Sequence, residues 1–117
     1  MSSKKNLSIK DTLSAAINNH QKSNFDSAKK LYKQIIEENP NHFEANFLFG
    51  TLFLQTKEFE RSKNYLQIAN KIKPDNIDVL NNLGIVSIKL KNFEDAKFFF
   101  TKATKIQPNY ALSLIHI

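Results

Sequence analysis

The sequence has no cysteine, and only two glycines and three prolines among its 117 residues. Without cysteine the chain can form no disulfide, thiolate metal site or thiol nucleophile. So little glycine and proline argues against a loop-rich all-β fold and against linker-like sequence. No apolar run approaches the roughly 18 residues of a membrane span, and the polar N-terminus shows no signal peptide. The lack of cysteine fits a reducing compartment, so we expect a cytoplasmic protein without a membrane partner.

Arginine is almost absent: Arg61 is the only one among 17 basic residues, and the formal net charge is +6. A basic surface attracts nucleic acid by releasing counterions, but base recognition relies heavily on arginine. The acidic residues here are also interleaved with the lysines. We therefore expect no nucleic-acid partner and keep a lysine-mediated binder of nucleic acid or of an anionic surface only as the weakest alternative. The composition, 41% hydrophobic and 24% charged, is that of one folded domain.

The few prolines and glycines share one spacing. Pro40, Pro74 and Pro108 lie 34 residues apart, and so do Gly50 and Gly84. Aromatic, basic, small and apolar residues repeat at the same interval. These are Phe25, Phe59 and Phe93; Lys29, Lys63 and Lys97; Ala28, Ser62 and Ala96; Tyr32, Leu66 and Phe100; Ile35, Ala69 and Ala103. A fixed period of this length indicates a repeat architecture.

The period predicts a polar tail at 1–8, three units at 9–42, 43–76 and 77–110, and a remnant at 111–117. We interpret that remnant as the truncated first helix of a fourth unit, which would make the chain a fragment. Each unit is expected to contain two amphipathic helices, because its apolar residues recur at i, i+3, i+4 and i+7. The expected N-terminal capping pairs are Ser8 with Asp11, Asn41 with Glu44, and Asp75 with Asp78.

Small residues occupy matching positions in the two helices of each unit. Gly50 and Gly84 stand in first helices, where a glycine costs about 1 kcal/mol relative to alanine. Their partners Ser62 and Ala96 stand in the second helices. We therefore expect the paired helices to approach each other closely at these positions.

The third unit, with Asn82-Leu83-Gly84, Phe93, Ala96, Phe100, Ala103 and Pro108, resembles the tetratricopeptide repeat. The other units depart from that pattern, most of all in unit one. Unit two departs at Phe49 and Ser62, and unit one at Ala15, Ala16 and Ile35. No unit has an aromatic residue at its fourth position, where Thr12, Asn46 and Leu80 stand. The resemblance implies an all-α fold, an α-solenoid of antiparallel helix pairs, and a non-catalytic scaffold or adaptor that binds a protein or peptide.

The resemblance also implies that the first helices line a concave groove. The expected groove residues are Lys10, Leu13, Ser14, Ile17 and Gln21; Glu44, Phe47, Leu48, Thr51 and Gln55; Asp78, Asn81, Asn82, Ile85 and Lys89. Asparagine and glutamine can hold a peptide backbone, because each side chain both donates and accepts hydrogen bonds. The alternative interpretation is that the apolar members simply pack against neighbouring helices.

Two subfamilies can be compared with the chain. Chaperone-binding members hold a C-terminal carboxylate with lysine, asparagine and arginine, whereas the matching positions here are Leu13, Ile17, Leu48, Asp78 and Asn82. We expect no such carboxylate clamp. Asn82 is similar to the asparagine that precedes Leu-Gly in O-linked N-acetylglucosamine transferases. The alternative function is therefore the N-terminal docking arm of a larger bacterial glycosyltransferase or sulfotransferase.

No motif indicates catalysis, a metal or a cofactor. His20, His42 and His116 share no spacing, and a zinc site needs about four convergent ligands. Lys29, Lys63 and Lys97 form either a solvated outer face or a stripe for an acidic partner. Phe98 is expected to point outward, which suggests that a further repeat or a partner covers it.

Overall fold

The structure, a computed structural model, describes residues 8–107. This range contains six α-helices and no strand. They are α1 (Ile9–Gln21), α2 (Phe25–Glu38), α3 (Phe43–Gln55), α4 (Phe59–Ile72), α5 (Ile77–Lys89) and α6 (Phe93–Ile106). The expectations for the N-terminal tail, for Pro108 and for residues 111–117 fall outside the described residues, apart from Ser8.

The helices form three antiparallel pairs, α1 with α2, α3 with α4, and α5 with α6. Each helix packs mainly against the other helix of its pair, and α2 and α4 also pack against the first helix of the next pair. This arrangement confirms the all-α solenoid. First helices begin at Ile9, Phe43 and Ile77, and second helices at Phe25, Phe59 and Phe93, so the helices keep the interval of the sequence.

Each pair turns through a residue with left-handed backbone geometry. The three residues are Ser23, Lys57 and Lys91, with φ of 64°, 64° and 62°. In each turn the residue after the left-handed one donates its backbone N–H to the carbonyl five positions earlier, as Glu58 does to Phe53 at 2.8 Å. This bond is typical of a Schellman helix end, where glycine is the usual residue. The chain uses serine and lysine instead.

The helix caps agree with the expectation in unit one only. Ser8 caps α1, and its hydroxyl accepts a hydrogen bond from the Asp11 amide at 3.1 Å. In units two and three the predicted caps, Asn41 and Asp75, were wrong, because the helices begin one residue later. His42 caps α3 through Nδ1, and Asn76 caps α5 through its side-chain oxygen.

The paired helices approach closely at the small residues, which confirms that prediction. The Ser62 hydroxyl donates to the Gly50 carbonyl at 2.7 Å in a buried contact between α3 and α4. A Cβ atom on Gly50 would lie 2.8 Å from Leu66 Cγ, and one on Gly84 would lie 2.6 Å from Phe100 Cζ. A larger side chain would have to displace the Leu66 side chain and backbone at Gly50, and the Phe100 ring at Gly84.

Two apolar clusters hold the units together. The first joins units one and two and contains Ala16, Ala28, Tyr32, Phe49, Leu52 and Phe53. The second joins units two and three and contains Leu66, Ala69, Val79, Leu83 and Val86.

Two of the residues at the fourth position of a unit form hydrogen bonds with the backbone. The Thr12 hydroxyl donates to the Ser8 carbonyl, and the Asn46 amide donates to the carbonyls of Pro40 and His42.

Candidate functional site

The expected groove residues share the less buried side of the three first helices. The opposite side carries the buried residues of these helices, such as Ala16, Gly50 and Leu83. Among the expected residues, Leu13, Ile17, Phe47, Leu48, Thr51 and Asn82 are half-buried, whereas Lys10, Ser14, Gln21, Glu44, Gln55, Asp78, Ile85 and Lys89 are exposed. Asn81 alone is buried.

Two hydrogen bonds join this surface across the unit boundaries. The side-chain amide of Asn82 on α5 donates to the Thr51 hydroxyl on α3 at 3.0 Å. His20 Nε2 on α1 lies 2.6 Å from Gln55 Oε1 on α3. The first helices of neighbouring units are therefore linked side by side, and their polar groove residues belong to one continuous surface.

A pocket of about 450 Å³ opens on this surface between units one and two. Four of its lining residues are expected groove residues: Ile17 and Gln21 from α1, and Leu48 and Gln55 from α3. The others are His20, Ser23, Phe25 and Tyr32. The pocket therefore has apolar and aromatic walls together with two glutamine amides, the usual composition of a ligand site.

His20 connects three helices at this pocket, although sequence reasoning considered it only as a metal ligand. Its Nδ1 lies 2.9 Å from the Tyr32 hydroxyl on α2, and its Nε2 faces the Gln55 oxygen on α3. Because that oxygen only accepts, Nε2 is the donor in this contact, and in the neutral ring Nδ1 then accepts from the Tyr32 hydroxyl. Burial raises the pKa of Tyr32 to about 12, so the phenol remains protonated and can donate.

The sequence held one signal for this role of His20. The matching positions in the other units are Leu54 and Ile88, so a polar residue replaces an apolar one only in unit one. A single polar departure in a repeat array marks a position with a local task, and here that task is the bridge to Tyr32 and Gln55.

The apolar groove residues serve partly as packing. Leu13 and Leu48 pack against the first cluster, and Phe47 packs against the second, whereas Ile85 is 37% exposed. Asn81 occupies the position of Leu13 and Phe47, is 4% exposed, and its amide nitrogen has no hydrogen-bond partner in the part of the chain that the structure describes. A ligand on the surface cannot reach the Asn81 amide in this conformation.

The three repeated lysines have different surroundings. Lys29 Nζ lies 2.7 Å from Glu58 Oε2 in the next unit, so it joins units one and two. Its hydrogen bond is the main reason why the pKa of the Glu58 carboxyl is lowered. Lys63 is half-buried and Lys97 is exposed, and neither has a salt bridge within residues 8–107.

Within residues 8–107, no three histidine, aspartate or glutamate side chains are grouped so that they could hold a metal ion. No helix in the same range combines the length and apolar character that a bilayer span demands.

Comparison with known proteins identifies the repeat. Two family models described as tetratricopeptide repeat match the chain, one over residues 20–72 and the other over 77–110. The comparison with curated proteins gives no match.

Several solved structures have the same fold. MamA superposes with a TM-score of 0.84 at 16% identity, over 87% of this chain and 56% of its own. YrrB, a TPR protein with an unusual peptide-binding site, gives a TM-score of 0.84 at 20% identity over 95% of this chain and 58% of its own. The first TPR of Spaghetti (RPAP3), bound to the HSP90 peptide SRMEEVD, gives 0.85 at 14% identity over 92% and 87%. The chain thus spans little more than half of MamA and YrrB.

Proposed function

Because the chain belongs to the tetratricopeptide repeat family, we propose that it is a non-catalytic interaction module that binds an extended peptide along its first helices. The observation that carries this proposal is the pocket between units one and two. Four residues expected in the groove line it, and its volume of about 450 Å³ falls within the range of ligand sites, roughly 300–1,000 Å³.

The walls of the pocket define the kind of peptide that fits. Ile17, Phe25 and Leu48 offer apolar surface for one anchoring side chain of the ligand. Gln21 and Gln55 are exposed beside them, and a primary amide can both donate to and accept from a peptide backbone. The Gln55 oxygen already accepts from His20, which orients the NH₂ group for a donor role. The ligand is therefore a peptide with an apolar anchor and accessible backbone carbonyls.

Two structural neighbours support a peptide ligand by analogy. YrrB has a peptide-binding site, and the RPAP3 repeat domain holds an HSP90 peptide. For this chain we propose that the peptide is not held through a C-terminal carboxylate. Leu13, Ile17 and Leu48 are half-buried apolar residues, and the amide of Asn82 already donates to Thr51.

The alternative of a docking arm for a glycosyltransferase or sulfotransferase has less support. It depends on Asn82, and that side chain is joined to Thr51 within the chain. The positions that match Asn82 in the other units are Ser14 and Leu48, so no ladder of asparagines extends along the surface. The interaction module remains the better-supported proposal.

Selection of peptides from a random phage-displayed library against the full chain tests this proposal. Enriched peptides should share an apolar anchor, and their amide shift perturbations should centre on Ile17, Leu48 and Gln55. Q55A should weaken their binding about fivefold or more, because it removes a backbone contact at the pocket. Gln34, an exposed glutamine on α2, provides the matched control, and Q34A should leave affinity unchanged. Equal effects of the two variants, or no enrichment, would refute the site.

A second experiment tests the absence of a carboxylate clamp. The peptide SRMEEVD is compared with the same peptide amidated at its C-terminus, because a clamp requires the free carboxylate. Micromolar binding of the free peptide that is lost on amidation would overturn this part of the proposal. Equally weak binding of both forms is the expected result.

A further inference from the structure

An aromatic side chain stands exposed on the last described helix. Phe98 is 61% exposed on α6 and lines a shallow depression of about 400 Å³. We call this surface the α6 outer face, and its residues are Glu94, Lys97, Phe98, Thr101, Lys102 and Lys105. The Phe98 ring meets the half-buried Phe99 ring edge-on, with centroids 5.4 Å apart, so a neighbouring side chain supports its position.

The earlier repeats indicate that a further repeat would not cover the α6 outer face. The positions that match Phe98 are Lys30 on α2 and Asn64 on α4, and both are exposed although another unit follows each of them. The positions that match Thr101, Lys33 and Gln67, are exposed as well. A further repeat stacked on α6 in the same way would therefore leave Phe98 exposed.

Phe93 on the same helix provides a contrast. It is 63% exposed, but the matching residues Phe25 and Phe59 are half-buried, and Phe59 packs against the cluster that contains residues of unit three. The exposure of Phe93 thus follows from its place in the last described unit. The exposure of Phe98 does not, because that position is exposed in every unit.

The charge around Phe98 indicates the chemistry of a partner. Three lysines, Lys97, Lys102 and Lys105, surround it together with one acidic residue, Glu94. None of the three lysines forms an ion pair within residues 8–107. A basic patch around an aromatic ring complements a negatively charged surface that carries an apolar group. We propose that the α6 outer face is a second docking surface, and that it binds an acidic segment of a partner protein through an apolar side chain placed against Phe98.

The probe for this proposal is a fluorescein-labelled peptide, Glu-Asp-Glu-Leu-Phe-Glu-Asp-Glu, blocked at both ends so that no terminal carboxylate contributes. Anisotropy titration with the full chain should show micromolar binding that weakens as NaCl rises from about 0.05 M to about 0.5 M, because salt screens exposed charges. The matched neutral peptide, Gln-Asn-Gln-Leu-Phe-Gln-Asn-Gln, should bind at least about tenfold more weakly.

Variants of the chain locate the interaction. F98N introduces the residue found at the matching position in unit two, and it should weaken binding about tenfold, as loss of a central aromatic contact does. F93N removes an equally exposed phenylalanine from another side of α6 and should have no effect. Q55A, in the groove pocket, should also leave this binding unchanged, which keeps the result separate from the proposed function. Thermal melts confirm that each variant is folded.

Three outcomes would overturn the proposal. The first is no binding of the acidic peptide to the wild-type chain. The second is equal loss in F98N and F93N. The third is concentration-dependent self-association in sedimentation that F98N abolishes, because a second copy of the chain would then be the occupant of this face.

Discussion

Replacing Gly50 with alanine tests the close contact between α3 and α4. Two effects oppose each other in G50A. Alanine favours a helix interior by about 1 kcal/mol over glycine. The new Cβ, however, would lie 2.8 Å from Leu66 Cγ and 3.1 Å from the Leu66 backbone nitrogen, whereas carbon atoms normally keep about 3.5–4.0 Å. Because a backbone atom is involved, α4 itself must move.

The second effect should be larger than the first. Leu66 is fully buried in the second cluster, and overpacking of a tight core typically costs about 1–3 kcal/mol. Because the backbone of α4 must move, we expect the upper part of that range, about 2–3 kcal/mol. G50A should then lower the free energy of unfolding by about 1–2 kcal/mol after the gain of about 1 kcal/mol in helix propensity. For a chain of this length that corresponds to a fall in Tm of roughly 4–8 °C. Urea and thermal denaturation, followed by far-UV circular dichroism, measure both quantities.

Two comparisons test whether contact with Leu66 causes the loss of stability in G50A. In an L66A background the obstructing side chain is absent, so adding G50A should cost less than it does in the wild type, and the two substitutions should be non-additive. G84A should cost less than G50A, because its nearest atoms all belong to the half-buried Phe100 side chain, which can shift about its Cα–Cβ bond, whereas at Gly50 a backbone atom must also move. An unchanged or higher Tm for G50A, or strict additivity with L66A, would refute the reasoning.

Three further predictions concern the turns and the titrating groups. K57G should stabilise the fold by up to about 1 kcal/mol, because φ of 64° at Lys57 strains any residue with a Cβ; a higher urea midpoint checks this, and a lower one contradicts it. Burial raises the pKa of Tyr32 to about 12. Because the unfolded chain loses this proton first, the stability of the fold should decrease as the pH rises above about 10. In thermal unfolding at alkaline pH, a Y32F variant should lose much of that dependence. Lys29 keeps the pKa of Glu58 low, so the ion pair stabilises the fold above the ordinary glutamate pKa and is lost as the pH falls through the lowered one. K29M should therefore destabilise the chain at neutral pH by less than about 1 kcal/mol, and its stability should fall less on acidification than that of the wild type. The control K63M, without such a partner in residues 8–107, should show the same loss of stability on acidification as the wild type.

The repeat order could be predicted because it leaves its mark at many positions. Prolines, glycines and the phenylalanines that open second helices all recur at one interval, so the helix count and pairing followed. The turns could not be predicted in the same way, because Ser23, Lys57 and Lys91 adopt left-handed geometry without being glycine. The closure of each unit by its helix pair imposes that conformation.

The site was predicted less completely for a related reason. A stripe on one helix shows which side faces away from the core, and three of the residues assigned to the groove, Ile17, Leu48 and Gln55, line one pocket in the structure. It cannot show how deeply a neighbouring unit covers a position, so the burial of Asn81 was not foreseen. The bridge from His20 to Tyr32 and Gln55 joins residues 12 and 35 positions apart, and it depends on the stacking angle of two units.

Unit two contributes to both apolar clusters, and this has a consequence for how the array comes apart. Its first helix supplies Phe49, Leu52 and Phe53 to one cluster, and its second helix supplies Leu66 and Ala69 to the other. In a one-dimensional array of repeats, units interact only with their nearest neighbours. A destabilising substitution in unit one therefore leaves the contact between units two and three intact, and the chain unfolds first at unit one. A lesion in the middle unit removes both couplings at once, so cooperativity of the whole array resides in its central hairpin.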